Sequence, residues 1–254
     1  MKSPLKAKPL RNPGESTSDR IWDFILDEIL KYLLFALLFS FLAILEWWRW
    51  YINSPPSPIL TSVIAIIAIG IAAFKLRNAN RTLRQLKLGR DGEKAVGQYL
   101  EGLRSNGAKV LHDFPGEGFN IDHVVIHKSG IYAIETKTFS KPDKGETRIL
   151  FDGESLKAFG RHFDRNPVSQ ARAASQWLRE KIYESTGIKH TVRPVVLFPG
   201  WFIEQTAEAK KSDVWVLNPK ALPSFIENSR QQILDTDVNL ICFHLSKYAR
   251  STLS

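Results

Sequence analysis

Residues 121–137, with the sequence IDHVVIHKSGIYAIETK, decide the fold. Apolar and β-branched residues on both sides of a Lys-Ser-Gly turn predict two short antiparallel β-strands. Each strand carries an acid, Asp122 in the first and Glu135 in the second, and Lys137 follows at the end of the stretch. Acids are depleted in strands, so their presence here needs a physical explanation.

The turn sets the geometry of this hairpin. A turn centred on residues 128–129 places Asp122 directly opposite Glu135, with the two Cβ atoms about 5 Å apart. A turn that is one residue longer shifts the register and separates the two acids. In the first register, side-chain alternation puts Glu135 and Lys137 on one face of their strand.

Opposed acids repel each other and destabilise a sheet unless something offsets the repulsion. A divalent cation does so, and Mg²⁺ commonly takes one or two protein carboxylates together with water and substrate phosphate. Asp122 and Glu135 therefore indicate a site for Mg²⁺ or Mn²⁺. The alternative is that both acids serve only solubility at the strand ends. The residue pattern alone leaves the two interpretations open.

Composition limits the partners and the compartment. The chain of 254 residues has room for one ordinary domain and an appendage. Its net charge of +9 favours a polyanionic partner, either nucleic acid or the anionic face of a membrane. The single cysteine, Cys242, excludes an internal disulfide, fits a reducing compartment and argues against a structural zinc site.

Two apolar blocks predict a helical hairpin near the N-terminus. The block at 32–45 precedes a Trp and Tyr cluster typical of a membrane interface, and the block at 51–74 is uncharged. The sequence NSPPSP at 53–58 predicts a turn between them. We expect two transmembrane helices within 29–75, after a polar tail at 1–28 whose first 20 residues are disordered. The alternatives are two core helices of a soluble protein or a cleaved signal peptide.

Positive charges flank this hairpin on both sides. Six Lys and Arg residues precede residue 32 and six more lie between residues 75 and 90, whereas the turn has no charge. The positive-inside rule then places both ends in the cytoplasm. We expect a multi-pass protein of the inner (cytoplasmic) membrane, with a basic linker at 76–88 close to anionic lipid headgroups. A solvated helix face is the simpler role for this linker.

The remaining chain, residues 89–254, is expected to form one α/β domain. The periodicity and the caps predict a helix at 91–107, a second helix that begins after the N-cap Asn166, and a third from residue 236. Strands are predicted at 108–114, within 121–137, near 148–151 as a third hairpin strand, at 192–198 and at 214–217. This order is typical of a mixed sheet flanked by helices.

Five motifs in this domain carry a resemblance to a known family. They are GRDGEKAVGQYL at 89–100, VLHDF at 110–114, IDHVVIHKSGIYAIETK at 121–137, NPVSQA at 166–171 and VRPVVLF at 192–198. Their content and order resemble the NERD (nuclease-related domain) family of the PD-(D/E)XK phosphodiesterase superfamily. Each motif is weak alone, and the combination is strong.

The resemblance implies a restriction-endonuclease-like mixed β-sheet and Mg²⁺-dependent cleavage of phosphodiester bonds in nucleic acid, with DNA as the expected substrate. By position, Asp122 and Glu135 correspond to the metal ligands and Lys137 to the charge-stabilising lysine. Glu93 corresponds to an additional helix acid and Gln170 to the glutamine of the following helix. The simpler alternatives are a helix-dipole interaction for Glu93 and a surface position for Gln170. His112, Asp113 and His123 are interpreted as structural.

The chain departs from the family pattern outside the metal site. Thr138 follows the Glu-Thr-Lys triplet, the glycine expected soon after is delayed behind FSKPDKGE, and the segment 150–160 lacks the expected tryptophan. These differences concern loops that face the substrate. Two alternatives to an active enzyme follow, namely a non-catalytic nucleic-acid-binding module and a membrane scaffold with the same fold.

Overall fold

A computed structural model describes residues 9–53, 57–141, 148–158, 161–163 and 166–252. The central residues of the predicted turn at 53–58 and the end of the predicted loop at 139–146 lie outside these ranges. The described chain divides into two compact units. One unit is residues 16–87, and the other joins the residues up to Glu15 with those from Leu88 onward.

Helices make up the unit formed by residues 16–87. They are α1 (Glu15–Phe24), a π-helical stretch (Ile25–Leu30), α2 (Lys31–Tyr51) and α3 (Pro58–Glu101), and α3 continues into the second unit. The prediction of disorder over the first 20 residues is wrong for residues 9–20, because α1 begins at Glu15 and Leu10 packs against the core of the second unit. The predicted linker at 76–88 is helical, since it lies within α3.

The apolar side chains of these helices are mostly exposed. Both helical stretches are long and apolar enough to be candidate membrane spans, and only 6% and 11% of their most hydrophobic windows are buried. Contacts within the unit join the two stretches: Trp47 Nε1 donates a 3.0 Å hydrogen bond to Ser62 Oγ, and the Glu46 carboxylate accepts a 2.9 Å bond from the Ser57 N–H. A core helix of a soluble protein would instead bury its apolar face.

A mixed sheet forms the centre of the second unit. Among the described residues it contains five neighbouring strands, in the order β1 (Lys109–Pro115), β2 (Asn120–His127), β3 (Gly130–Thr136), β7 (Val192–Leu197) and β9 (Trp215–Leu217). The strands β1, β2 and β3 are antiparallel neighbours, whereas β3, β7 and β9 run parallel. This topology confirms the predicted mixed sheet flanked by helices.

The hairpin of β2 and β3 has the shorter of the two predicted turns. His123 pairs with Ile134 and His127 pairs with Gly130, so residues 128–129 connect the strands. Continued by one residue beyond the His123–Ile134 pair, this register brings Asp122 opposite Glu135. The register that the predicted relationship of the two acids requires is therefore confirmed.

A second sheet contains the strand that we predicted as the third member of this hairpin. Within the described chain its strands are β4 (Arg148–Phe151), β5 (Leu156–Ala158), β6 (Arg161–His162) and β8 (Phe202–Gln205), in the order β6-β5-β4-β8. The prediction for 148–151 is wrong in its partner, because β7 occupies the free edge of β3. Ile149 and Phe151 are instead buried against Phe198 and Trp201.

Helices cover both faces of the five-stranded sheet. α4 (Pro167–Thr186) begins as predicted, because the Asn166 side chain accepts a 3.0 Å hydrogen bond from the Val168 N–H. It packs with α6 (Asp235–Thr252) on one face of β2 and β3. The end of α3, through Val96 and Leu100, and α5 (Leu222–Glu227) pack on the other face. The prediction of a helix from residue 236 is confirmed.

Candidate metal and active site

The topology gathers the predicted site residues at one edge of the sheet. Glu135 lies near the end of β3, and the parallel strand β7 ends beside it. The connection from β3 to β7 contains β4, β5, β6 and α4. Val168, in the first turn of α4, packs in one core with Val196 and Phe198 at the end of β7. Gln170, in the same turns of α4, therefore lies near the edge where β3 and β7 end.

Asp122 is held by the backbone of β3. Its Oδ2 accepts a 2.6 Å hydrogen bond from the Thr136 N–H. Withdrawal from solvent raises the pKa of Asp122 well above its usual range, and the negative charges of Glu135 and Glu93 raise it further. The Thr136 N–H and the Lys137 ammonium act in the opposite direction without reversing the shift. The protein surroundings of Asp122 thus disfavour the negative charge of its carboxylate.

Glu135 and Lys137 form an ion pair beside Asp122. Lys137 Nζ lies 2.6 Å from Glu135 Oε1, and the two side chains are 26% and 16% exposed. Their contact confirms that they share one face of the strand. Both groups remain partly open to solvent, so a substrate can reach them.

Glu93 reaches the same site from α3. It is half-buried, and its charge acts on the pKa of Asp122. The preceding residue, Gly92, lies against the chain that follows β3: a Cβ at this position would be 1.7 Å from Thr138 Oγ1. The requirement for glycine fixes α3 beside the end of β3, although Gly92 carries no local sequence signal for this contact.

Three buried oxygen atoms near this edge lack a hydrogen-bond partner among the described residues. They are Gln170 Oε1, Thr136 Oγ1 and Thr138 Oγ1. Buried polar atoms are almost always satisfied, so each of these oxygens indicates a place where a water molecule, an ion or a substrate group belongs. Gln170 as a whole is partly exposed, but its amide oxygen is buried.

The donor set fits a hard cation with few protein ligands. Over the described ranges, no group of three or more His, Cys, Asp or Glu side chains could hold a metal ion. Asp122 and Glu135 supply two carboxylates, which is the number that Mg²⁺ commonly takes when water and phosphate complete its shell. Mg²⁺ and Mn²⁺ prefer such oxygen ligands, whereas a structural zinc site requires four protein ligands.

The two strand histidines belong to the interior. His112 Nδ1 and His123 Nδ1 are 2.8 Å apart, and His112 Nε2 is 2.7 Å from Glu101 Oε1. Burial lowers the pKa of His112 and lowers that of His123 well below its usual range, so both rings are neutral at pH 7. Asp113, with φ at 47°, contacts Arg11 at 3.5 Å and accepts a 3.0 Å bond from Asn120. These contacts support structural roles.

The segment before α1 also borders the site. Pro13 covers Gly97 so closely that a Cβ there would lie 2.4 Å from the proline Cγ. At Gly14, with φ at 68°, a Cβ would lie 3.3 Å from Glu93 Oε2. The sequence predicts a polar tail for these residues, and their contacts were not predicted because their partners lie about 80 positions further along the chain.

Comparison with known proteins gives one family. The family model described as the nuclease-related domain, NERD, matches residues 88–199. No curated protein matched the chain. A structure of Pyrococcus furiosus SfsA in complex with Ca²⁺ matches at 12% identity and a TM-score of 0.27. That match covers 49% of this chain and 52% of the other, about half of each, and is too weak to indicate a shared fold.

Proposed function

Because the chain carries a nuclease-related domain at residues 88–199, we propose that it is a membrane-anchored, metal-dependent nuclease that hydrolyses phosphodiester bonds of nucleic acid. The observation that carries this proposal is the convergence of Asp122, Glu135 and Lys137 at the end of β3. Its expected substrate is DNA, and the net charge of +9 favours such a polyanion.

Asp122 and Glu135 would hold Mg²⁺ or Mn²⁺, which when bound supplies a Lewis acid for the scissile phosphate and lowers the pKa of an attacking water. Lys137 offers an ammonium group that stabilises negative charge as it develops on the phosphate oxygens. Gln170 presents a buried amide oxygen that would accept a hydrogen bond from water. Glu93 adds negative potential that favours a cation at this point.

The electrostatics of Asp122 support the same role. A carboxylate whose pKa is raised by burial and by two neighbouring acids marks a candidate functional site. A purely structural acid gains from its partners, whereas this one is opposed by Glu135 and Glu93. A bound cation would offset the repulsion.

Membrane anchoring is proposed from residues 16–87. Their two candidate spans leave almost all of their apolar side chains exposed, which argues against the alternative of core helices. Residues 9–15 and those after Leu88 belong to one compact unit, so both ends of the intervening segment lie on the same side of a membrane that it crosses. The flanking cations place that side in the cytoplasm, with residues 76–88 available to anionic headgroups.

One observation favours a non-catalytic nucleic-acid-binding module instead. The 2.6 Å contact between Lys137 and Glu135 lets the two charges satisfy each other without a cation. In such a module the ion pair would be structural, and nucleic acid would bind in a salt-dependent manner without being cleaved.

A cleavage assay separates these functions. The full-length protein in nanodiscs is incubated with supercoiled plasmid and with structured RNA in the presence of Mg²⁺, Mn²⁺ or EDTA. The full chain is required, because residues 9–15 pack on the domain. We expect cation-dependent cleavage that Asp122→Ala abolishes and that the matched variant Asp237→Ala, at a partly exposed position in α6, retains. Salt-dependent binding without cleavage under any cation would support the binding module.

A further inference from the structure

A groove of about 1060 Å³ lies beside the candidate site. Its walls come from α3, from the chain that follows β7, and from α5 and the turn before it. The aromatic residues Tyr99, Phe202 and Phe225 line it together with Lys141 and Lys220. The mechanism proposed above uses none of these residues.

The groove borders segments that carry candidate site residues, because its lining residue Ala95 is two positions after Glu93 in α3. The Lys137 N–H donates a 2.9 Å hydrogen bond to the Leu197 carbonyl, and the groove residues Gly200 and Phe202 follow a few positions later. Lys141 is four residues beyond Lys137, so their Cα atoms are at most about 14 Å apart. Its ammonium lies against Gly200, 3.5 Å from where a Cβ would sit. A strand that contacts Lys141 is therefore close to Lys137.

Three aromatic rings of the groove are open to solvent. Phe202 is 68% exposed, Tyr99 is 46% exposed and Phe225 is 41% exposed. Large aromatic side chains left uncovered in one concave surface indicate a binding site rather than a folding requirement. A ring that keeps a face free can stack on a flat partner.

The charge of the groove identifies that partner. None of the described lining residues is acidic, whereas two are lysines. Aromatic rings that stack on bases, together with cations that follow the backbone, are the features by which proteins bind single-stranded nucleic acid. A duplex keeps its bases stacked on one another and offers no free base faces to the three rings. An uncharged apolar ligand would gain nothing from the lysines.

We propose that this groove binds unpaired nucleotides of the substrate, so that the enzyme acts on nucleic acid with a single-stranded segment next to the scissile phosphate. This inference rests on the nuclease function proposed above. It adds the class of substrate and the residues that select it: Phe202, Tyr99 and Phe225 for the bases, and Lys141 and Lys220 for the phosphates.

Fluorescence anisotropy of the full-length protein in nanodiscs tests the inference. Binding of a 20-nucleotide single-stranded oligothymidine and of a 20-base-pair duplex is measured in EDTA at several salt concentrations.

We expect the single strand to bind more tightly. Phe202→Ala should weaken its binding by about fivefold or more, as loss of one stacked base predicts. Lys141→Gln should reduce the salt dependence by about one phosphate contact. The control Phe243→Ala, at a 64% exposed position in α6 outside the groove, should change neither quantity.

Equal binding of the two probes, or single-strand binding that Phe202→Ala and Tyr99→Ala leave unchanged, would overturn the inference and leave the groove to another partner. Cleavage assays with Mg²⁺ keep the two proposals separate. Cation-dependent cleavage that persists in Phe202→Ala with unchanged single-strand binding refutes the groove alone. Single-strand binding that depends on Phe202, without cleavage under any cation, supports the groove and refutes the nuclease.

Discussion

Asp122 accepts a 2.6 Å hydrogen bond from the backbone N–H of Thr136, the residue between Glu135 and Lys137. This bond fixes the start of β2 to the end of β3 at the point where the acids meet. The position of the Asp122 carboxylate is thus set by the hairpin itself and does not depend on a cation or a substrate.

The first prediction concerns the stability of the metal-free protein. Because the pKa of Asp122 is raised in the fold, deprotonation destabilises the fold, and this cost grows as pH rises from about 3.9 to the pKa in the fold. Asp122→Asn removes the charge and keeps an oxygen for the Thr136 N–H. Its melting temperature without metal at pH 7 should equal or exceed that of wild type.

Metal should act on the two proteins differently. Mg²⁺ at 100 times its Kd should stabilise wild type by about 2.7 kcal/mol and should leave Asp122→Asn unchanged. Thermal unfolding with and without Mg²⁺ measures both effects, with Asp237→Asn as the matched control. A variant that melts lower without metal, together with no Mg²⁺ effect on either protein, would show that Asp122 is a structural acid.

Two glycines of α3 offer a matched pair of substitutions. A Cβ at Gly92 would lie 1.7 Å from Thr138 Oγ1, whereas a Cβ at Gly89 meets nothing within 4 Å. Gly92→Ala should destabilise the protein by about 1–3 kcal/mol because the contact is overpacked. Gly89→Ala should stabilise it by up to about 1 kcal/mol through helix propensity. Chemical denaturation checks both values, and equal effects would contradict the close approach of α3 to Thr138.

The β2–β3 hairpin and the N-cap of α4 depend on local sequence rules, and for that reason the sequence predicts them. The register of β2 and β3 depends on a two-residue turn, and α4 depends on the Asn166 cap. The strand at 148–151 was recognised, but its partners β5 and β8 are set by which edges remain free once β7 pairs with β3. Local pattern carries no such information.

The residues of the candidate site also differ in whether local sequence patterns predict their positions. Asp122, Glu135 and Lys137 follow from strand register and alternation, so residue patterns suffice to bring them together. Glu93 and Gln170 were assigned from family resemblance, because helix-to-strand distances are not encoded in spacing. The contacts of Arg11 and Gly14 with the domain were missed, since a segment ahead of the apolar hairpin has no local signal for a partner beyond it.

The buried pair of His112 and His123 predicts that the stability of the fold depends on pH. The pKa values of His112 and His123 are lowered in the fold, so their contribution to stability is fully present above about pH 6.5 and decreases as pH falls from that value towards the pKa in the fold. The melting temperature should therefore fall between pH 7 and pH 5. The double variant His112→Leu/His123→Leu should reduce this slope, and His244→Gln should retain it. An unchanged slope in the double variant would contradict neutral burial of the pair.

Topology is tested with single cysteines. In a Cys242→Ala background, Ser57→Cys places a thiol at the exposed start of α3 and Ser105→Cys places one on the exposed surface of the domain. A membrane-impermeant maleimide should label residue 57 in intact cells and should label residue 105 only after permeabilisation. Labelling of residue 105 from outside intact cells would refute the cytoplasmic placement.

Binding of Mn²⁺ to the full-length protein, measured by electron paramagnetic resonance, tests the central claim most directly, because it detects the cation without relying on activity. We predict that wild type binds Mn²⁺, that Asp122→Asn and Glu135→Gln lose this binding, and that Lys137→Met retains it while losing cleavage. Lys137 acts on the phosphate rather than on the metal in this account. Absence of Mn²⁺ binding in wild type, or binding that both acid substitutions leave unchanged, would contradict the assignment of Asp122 and Glu135 as the metal ligands of a nuclease.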